Sequence, residues 1–346
     1  HPRLEFVCTV CEEVGMEGAT GIDVSMLKGK KLLNMDSEEE GVMLASCAGG
    51  CRADVKLPVE RETVSGTKLT VSLSGLTGGH SGSEIDKGRG NANTLMSRLL
   101  RDASAPVAIA SIDGGRKDNA IPRECTAQII VAPDEAAAVK ASIEQAAAEI
   151  AEEFKASDPD IKLAVSEETD CSESAISAKD SARVIALIEA LPNGIIRMSR
   201  EIDKLVETSL NLGVLKSDDA AVTLRYAVRS SVGVAKKSLK NQLVCIAGAF
   251  AAEVTFEGDY PAWEYKKDSK LREDMVRIFE EMYGKKPTVE AIHAGVECGL
   301  LSGKIEGLDC ISMGPDMYDI HTTEERLSIS SAKRSYEYIL RVIACK

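Results

Sequence analysis

Residues 8–19 have the sequence Cys-Thr-Val-Cys-Glu-Glu-Val-Gly-Met-Glu-Gly-Ala, and they give the first indication of the fold class. This stretch comes out of an apolar run that includes Leu4 and Phe6, and this run predicts a buried strand. Two adjacent carboxylates, Glu12 and Glu13, end the run, and the glycines behind them favour a sharp turn. Because open α/β sheets carry reactive groups at the carboxyl ends of their strands, the stretch predicts the active edge of an α/β unit. Two solvated glutamates in a loop are an equally good interpretation of this motif alone.

Two further segments add candidate metal ligands. Residues 31–41 read as an apolar strand that ends at Asp36, and a third predicted strand is followed by a loop that carries His321. Two carboxylates and an imidazole suit zinc or a similar divalent cation. If Glu13 binds the metal, Glu12 points the other way and is free to take a proton from bound water.

Composition excludes several classes of protein. The chain has 346 residues and a formal net charge of −13, which argues against binding to nucleic acid or to an anionic membrane. Its longest apolar run, residues 243–252, is too short to span a bilayer. The length predicts two domains with ample core.

Ten cysteines without regular spacing are typical of reduced thiols, which predicts a cytoplasmic protein. Cys8 and Cys11 together with Cys47 and Cys51 have the spacing of a four-thiolate zinc site. An odd step along a strand would place Cys8 and Cys11 on opposite sides. Buried small hydrophobic side chains are therefore the favoured interpretation of these cysteines.

Six motifs carry a family resemblance, and they extend over most of the chain. They are CEEVGMEGA at 11–19, NMDSEEEG at 34–41, LTGGHSGSEI at 76–85, NAIPRE at 119–124, VETSLNLG at 206–213 and IHAGVECG at 292–299. With them the sequence resembles the aminoacyl-histidine dipeptidases, also called cytosol non-specific dipeptidases. These form a branch of the di-zinc clan that includes carboxypeptidases, carnosinases and acyl-amino-acid deacylases.

The resemblance implies an α/β catalytic domain of the zinc-peptidase type, incomplete at its N-terminus, with an inserted α+β lid domain. The implied division is 1–56 and 263–346 for the catalytic domain, with 57–262 as the lid. Strands and helices occur in the same order twice within the lid, which suggests a doubled unit, although sequence self-similarity is too faint to prove a repeat.

The resemblance also assigns the catalytic half of the site. It implies that Glu13 and His321 hold one metal, that Asp36 holds the other, and that Glu12 is the general base. Relatives carry a His-x-Asp segment upstream and a later bridging aspartate. None of the four histidines here is followed two positions later by Asp, so we expect the sequence to lack these ligands.

The lid half of the site rests on five residues. The resemblance implies that His80, among glycines, stabilises an oxyanion, and that Asn119 and Arg229 hold the carboxylate and backbone of the substrate. His293 and Glu297 are expected to contact the substrate or to support such contacts. For His80 the alternative is a solvent-exposed turn histidine, and for Arg229 it is a surface ion pair.

The implied function is hydrolysis of dipeptides of broad specificity, including Xaa-His, by a homodimer with two zinc ions per complete site. Manganese or cobalt could replace zinc. One alternative is an N-acyl-amino-acid deacylase of the same clan, since only the lid motifs favour the dipeptidase. Another is a non-catalytic fragment, because two metal ligands are expected to be absent.

Overall fold

The fold is described from a computed structural model, in residues 2–13, 15–320 and 322–345. The α-helices in these ranges are α1 (Glu17–Gly21), α2 (Ala92–Arg101), α3 (Ala136–Phe154), α4 (Ala178–Ala190), α5 (Gly233–Ala249), α6 (Lys270–Tyr283), α7 (Glu297–Lys304) and α8 (Ile329–Ala344). A short 3-10 helix spans Ile85–Lys87.

The strands are β1 (Lys31–Asn34), β2 (Val42–Cys47), β3 (Gly49–Pro58), β4 (Arg61–Ser74), β5 (Gly79–His80), β6 (Ala108–Gly114), β7 (Ala120–Ile121), β8 (Cys125–Val131), β9 (Lys162–Ile176), β10 (Gly194–Met198), β11 (Val206–Ser217), β12 (Ala221–Ser230), β13 (Glu253–Tyr260), β14 (Thr288–Ile292), β15 (Asp309–Ser312), β16 (Met317–Tyr318) and β17 (Arg326–Leu327). No helix in the described ranges is long and apolar enough to cross a membrane.

A four-stranded sheet, called the small sheet here, joins the two ends of the chain. Its order is β1-β15-β2-β14, with β1/β15 and β2/β14 parallel and β15/β2 antiparallel. Its core contains Met43, Met275, Phe279, Ile311 and Tyr338. The mixed α/β character predicted for this part of the chain is confirmed.

The prediction of a buried strand before Glu12 is wrong. Residues 2–13 contain no strand, and the side chain of Phe6 is 89% exposed. This segment contacts α1 and a loop: Gly18 N, in α1, donates to Val10 O at 2.9 Å, and the Glu5 carboxylate accepts from the Lys28 and Gly29 amides. An apolar run becomes a strand only where another strand satisfies its backbone groups, and the described residues place none beside it.

A nine-stranded sheet, called the large sheet here, consists of two nested βαββαβ units of four strands each and of β10, which pairs with β11. The inner unit runs β4-α2-β6-β8-α3-β9, and the outer unit runs β3-α4-β11-β12-α5-β13, with the inner unit inserted after β3. Each unit has its first, second, third and fourth strands in the spatial order 4-1-3-2, with every pair antiparallel. β6 and β11 join the two units, with Leu215 opposite Gly114.

The large sheet carries the main core of the protein. The apolar face of α3 is buried in it, through Val139, Ile143, Ala147 and Ile150. On strand pairing alone the large sheet begins at Gly49, ahead of the boundary predicted at residue 57. The division into domains stays a prediction.

The two chain segments that connect the sheets run side by side. Cys47 and Trp263 exchange both backbone hydrogen bonds, at 3.0 and 3.2 Å. Just beyond, Tyr260 pairs with Gly50, and the ammonium of Lys236 donates to the carbonyl oxygens of both residues. The connection is therefore a paired backbone crossing, and the relative position of the sheets depends on it.

We expect Gly49→Ala to destabilise this crossing. A Cβ at Gly49 would lie 2.4 Å from Ala262 N and 2.7 Å from Tyr260 O, and these backbone atoms cannot move without breaking the pairing. Overpacking of this kind costs about 2–3 kcal/mol of unfolding free energy, measured by urea denaturation. Gly248→Ala is the control, because nothing lies within 4 Å of its Cβ position in α5. Equal stability of the two variants would contradict the prediction.

Candidate active site

His80 lies in the short antiparallel pair of strands β5 and β7, opposite Ala120. Its Nδ1 accepts hydrogen bonds from the backbone N–H groups of Gly82 (3.3 Å) and Ser83 (3.1 Å). Burial, followed by the positive charge of Arg229, lowers the pKa of His80. A neutral imidazole whose Nδ1 accepts carries its proton on Nε2, so His80 is a half-buried donor and not an exposed turn residue.

Arg229 and His293 come together from different sheets. Arg229 is on β12 of the large sheet, and His293 follows β14 of the small sheet. Burial, with a further contribution from the Arg229 charge, lowers the pKa of His293 to about 3. The imidazole of His293 is therefore neutral at physiological pH beside a permanent cation.

The His80 loop closes against the same place. A Cβ at Gly82 would lie 2.6 Å from the carbonyl oxygen of His293, so the loop backbone packs directly on the His293 backbone. The charge of His80 also acts on the pKa of His293. The structure thus brings His80, Arg229 and His293 into one cluster, called the basic cluster here.

Several buried polar atoms around the basic cluster have no hydrogen-bond partner among the described residues. They are Ser81 Oγ, Arg229 Nε, His293 Nδ1 and Glu297 Oε1. Buried polar groups are normally paired, and an unpaired one costs about 1–3 kcal/mol. Several unpaired buried polar atoms close together are typical of a binding site for a polar ligand.

Asn119 is held next to His80 by backbone contacts. Its carbonyl oxygen accepts from Ser81 N at 2.9 Å, and its own side chain is exposed. Asn211 on β11 fixes this loop by donating to the carbonyl oxygens of Asp118 and Ala120. The position of Asn119 therefore depends on a buried amide in the neighbouring strand.

Glu297 begins α7 and is 9% exposed. Its Oε2 accepts from the hydroxyl of Thr9 at 2.9 Å, which ties the segment before the Glu-Glu motif to the helix. Acidic groups are stabilised at a helix N-terminus. Glu297 therefore joins the first motif of the chain to the loop that carries His293.

The predicted metal ligands Glu12, Glu13 and Asp36 lie outside the helices and strands. Glu12 is half-buried in a turn where its carbonyl oxygen accepts from Gly15 and Met16, and Glu13 is exposed. Asp36 is exposed, two residues after β1. His321 lies outside the described residues. In the part of the chain that is described, no three His, Cys, Asp or Glu side chains form a group that could hold a metal ion.

The cysteine prediction is partly wrong. Cys47 and Cys51 are buried as expected, but Cys8 and Cys11 are exposed because their segment is a loop. All four are free thiols. A four-thiolate zinc site does not form among them.

Sequence reasoning missed two residues beside the basic cluster. Ser209 Oγ is 2.7 Å from His293 Nε2, and Tyr260 Oη accepts from Arg229 Nη1 at 3.5 Å. Ser209 lies inside the VETSLNLG motif, but the motif alone does not reveal its contact with His293. No sequence signal marks Tyr260, because its contact depends on the crossing between the sheets.

His293 makes the stability of the protein depend on pH. Its folded pKa of about 3 lies below the ordinary value of 6.5, so below pH 6.5 the unfolded state takes up a proton that the folded state does not. The stabilisation is present above pH 6.5 and is lost as the pH falls towards 3. Between pH 7 and 5 this histidine alone lowers the unfolding free energy by up to about 2 kcal/mol.

Urea denaturation at pH 7 and pH 5 measures the decrease in unfolding free energy. In His293→Gln this decrease should be smaller by the contribution of His293. Lys87→Gln, at an exposed position, is the control and should leave the pH dependence unchanged. An unchanged loss in His293→Gln would show that other groups are responsible.

Comparison with known proteins confirms the predicted resemblance. Residues 71–158, most of them in the inner βαββαβ unit, match a family model described as a peptidase dimerisation domain. The cytosol non-specific dipeptidase of Escherichia coli (strain K12) is 34% identical over 335 residues, which cover 96% of this chain and 69% of that protein. The crystal structure of aminoacylhistidine dipeptidase from Vibrio alginolyticus matches with a TM-score of 0.90 and 32% identity, over 98% of this chain and 70% of that one. The chain belongs to the family of the cytosol non-specific, or aminoacylhistidine, dipeptidases.

Proposed function

We propose that the protein hydrolyses dipeptides of broad specificity, including Xaa-His, with a metal-activated water and Glu12 as general base. The observation that carries the proposal is the basic cluster. It offers one permanent cation and two neutral imidazoles. Arg229 Nε and His293 Nδ1 are buried without a hydrogen-bond partner among the described residues. A small substrate with a free carboxylate complements this surface, and the family of the chain supports peptide hydrolysis.

Four residues have distinct tasks in this proposal. Arg229 binds the substrate carboxylate, for which a planar guanidinium is the natural partner. His80, with its proton on Nε2, donates to the oxygen of the peptide carbonyl as negative charge develops there. Asn119, held beside His80, contacts the substrate backbone. Glu12 takes a proton from the attacking water and passes it to the leaving amine.

The metal component of the proposal rests on the family resemblance. Zinc, or manganese or cobalt in its place, would polarise the carbonyl and acidify water, and Glu13, Asp36 and His321 are the proposed ligands. The described residues do not by themselves form such a centre.

Assembly and location are proposals of the same kind. The match to a peptidase dimerisation domain supports a homodimer. The relative from Escherichia coli is described as a cytosol protein, and this supports a cytoplasmic location together with the free thiols of the chain.

An N-acyl-amino-acid deacylase would use the same carboxylate contact, so the substrate assay must separate the two functions. We expect hydrolysis of an Xaa-His dipeptide after addition of zinc, loss of activity with a chelator, and little hydrolysis of the matching N-acetyl amino acid. The released amino acids are measured by chromatography. Preference for the N-acetyl compound would favour the deacylase, and no turnover with any added metal would favour a non-catalytic protein.

Substitution of Arg229 tests the carboxylate contact directly. We expect Arg229→Met to raise KM for a dipeptide by about 100-fold, since a charge-assisted hydrogen bond contributes about 1.5–3 kcal/mol. The effect should disappear with the C-terminal amide of the same dipeptide. Arg225→Met is the matched control, because Arg225 lies on the same strand but pairs with Asp54. A KM increase of the same size for both variants would overturn the assignment.

A further inference from the structure

Ser209 connects the two sheets at the basic cluster through one hydrogen bond. It lies on β11 of the large sheet, and its Oγ is 2.7 Å from Nε2 of His293, which follows the small sheet. Ser209 is 1% exposed and His293 is 5% exposed. Solvent therefore cannot satisfy either group in its place.

The direction of this hydrogen bond follows from the requirement that a buried hydroxyl group donates its hydrogen to an acceptor. A serine hydroxyl has one hydrogen to donate, and buried hydroxyls almost always use it. Among the described residues the imidazole is the recorded partner of Ser209 Oγ. If Nε2 donated to Ser209, the hydroxyl hydrogen would be buried without an acceptor. Ser209 is therefore the donor and Nε2 the acceptor.

The tautomer of His293 follows from this direction. A neutral imidazole carries one proton, and when Nε2 accepts, that proton is on Nδ1. Burial keeps the ring neutral, because it lowers the pKa of His293 far below physiological pH. His293 thus holds an Nδ1–H donor that makes no hydrogen bond of normal geometry in the described part of the chain. The backbone of Val206 acts on the ring, but its effect on the pKa of His293 is the smallest of the recorded causes.

A second unpaired donor lies beside the first. Ser209 and Arg229 are directly opposite each other on β11 and β12, and residues paired in this way have side chains on the same face of a sheet. The buried Nε of Arg229 also has no acceptor among the described residues. A carboxylate has two oxygen atoms and accepts from both donors.

We propose that Ser209 is a positioning residue, which fixes the Nδ1–H tautomer of His293 so that His293 and Arg229 together receive the C-terminal carboxylate of a dipeptide. This inference rests on the proposed function for the identity of the ligand, but the tautomer itself does not. Ser209 touches no substrate. It acts through His293, and it does so from the opposite sheet.

The tautomer is tested without any measurement of activity. The chain has four histidines, so ¹⁵N-histidine labelling gives few signals, and the spectrum of His293→Gln assigns the one from His293. We expect the Nδ1–H pattern in the wild type and the Nε2–H pattern in Ser209→Ala. A wild-type Nε2–H pattern, or the same pattern in both proteins, would overturn the proposal whether or not the protein is a dipeptidase.

Kinetics test the role of the tautomer in binding. We expect Ser209→Ala to raise KM for a dipeptide about tenfold, as the loss of one hydrogen bond to a charged group implies, while kcat changes little. The C-terminal amide of the same dipeptide should show no such increase. Ser209→Thr, which keeps the hydroxyl, should restore the wild-type KM and remains informative if the alanine variant does not fold.

Ser230→Ala is the matched control. Ser230 is a buried serine on β12 whose hydroxyl bonds to Thr208 and not to the basic cluster. A merely structural effect would raise KM equally in Ser230→Ala and Ser209→Ala, or equally for the dipeptide and its amide, and either result would contradict the proposal.

Discussion

The backbone crossing at Cys47 and Trp263 is the constraint on which the rest of the site depends. The basic cluster takes Arg229 and His80 from elements beyond the crossing, and His293 from the small sheet. Two backbone hydrogen bonds fix the position of one sheet relative to the other. Gly49 and Gly50 add to this constraint, because they lie too close to residues 260–262 to carry side chains. Because protein interiors transmit strain through close contacts, a small change at the crossing would separate groups that must meet within hydrogen-bond distance.

The nested βαββαβ units explain how one chain surrounds the cluster from several sides. The outer unit supplies Arg229 and Ser209 on neighbouring strands, and the segment between β4 and α2 of the inner unit supplies His80. The contact between β6 and β11 then fixes one unit against the other. Long strands hold Ser209 and Arg229, while His80 lies on a strand of two residues. Sites built on regular elements are held more accurately than sites built on loops.

The sequence predicts most helices and strands of this protein but only part of its site. Periodic apolar patterns identify elements such as α3, because burial of one face determines both the pattern and the fold. The run before Glu12 misleads, since hydrophobicity records a tendency towards burial but not the presence of a partner strand. The motif at 206–213 marks an important strand, but the role of Ser209 arises from contact with a residue 84 positions away. Local patterns contain no information about such a contact.

The insertion of one unit into the other also determines the order in which the chain can fold. The inner unit contains all of its own strands between Arg61 and Ile176, so its sheet can form before the rest of the large sheet exists. β3 pairs with β12 later, because β12 lies more than 160 positions further along the chain. Long-range pairings of this kind slow folding and leave apolar strands exposed in intermediates. During synthesis, β3 is thus open to wrong pairing for a long time, and the basic cluster cannot form until the chain has been made as far as His293.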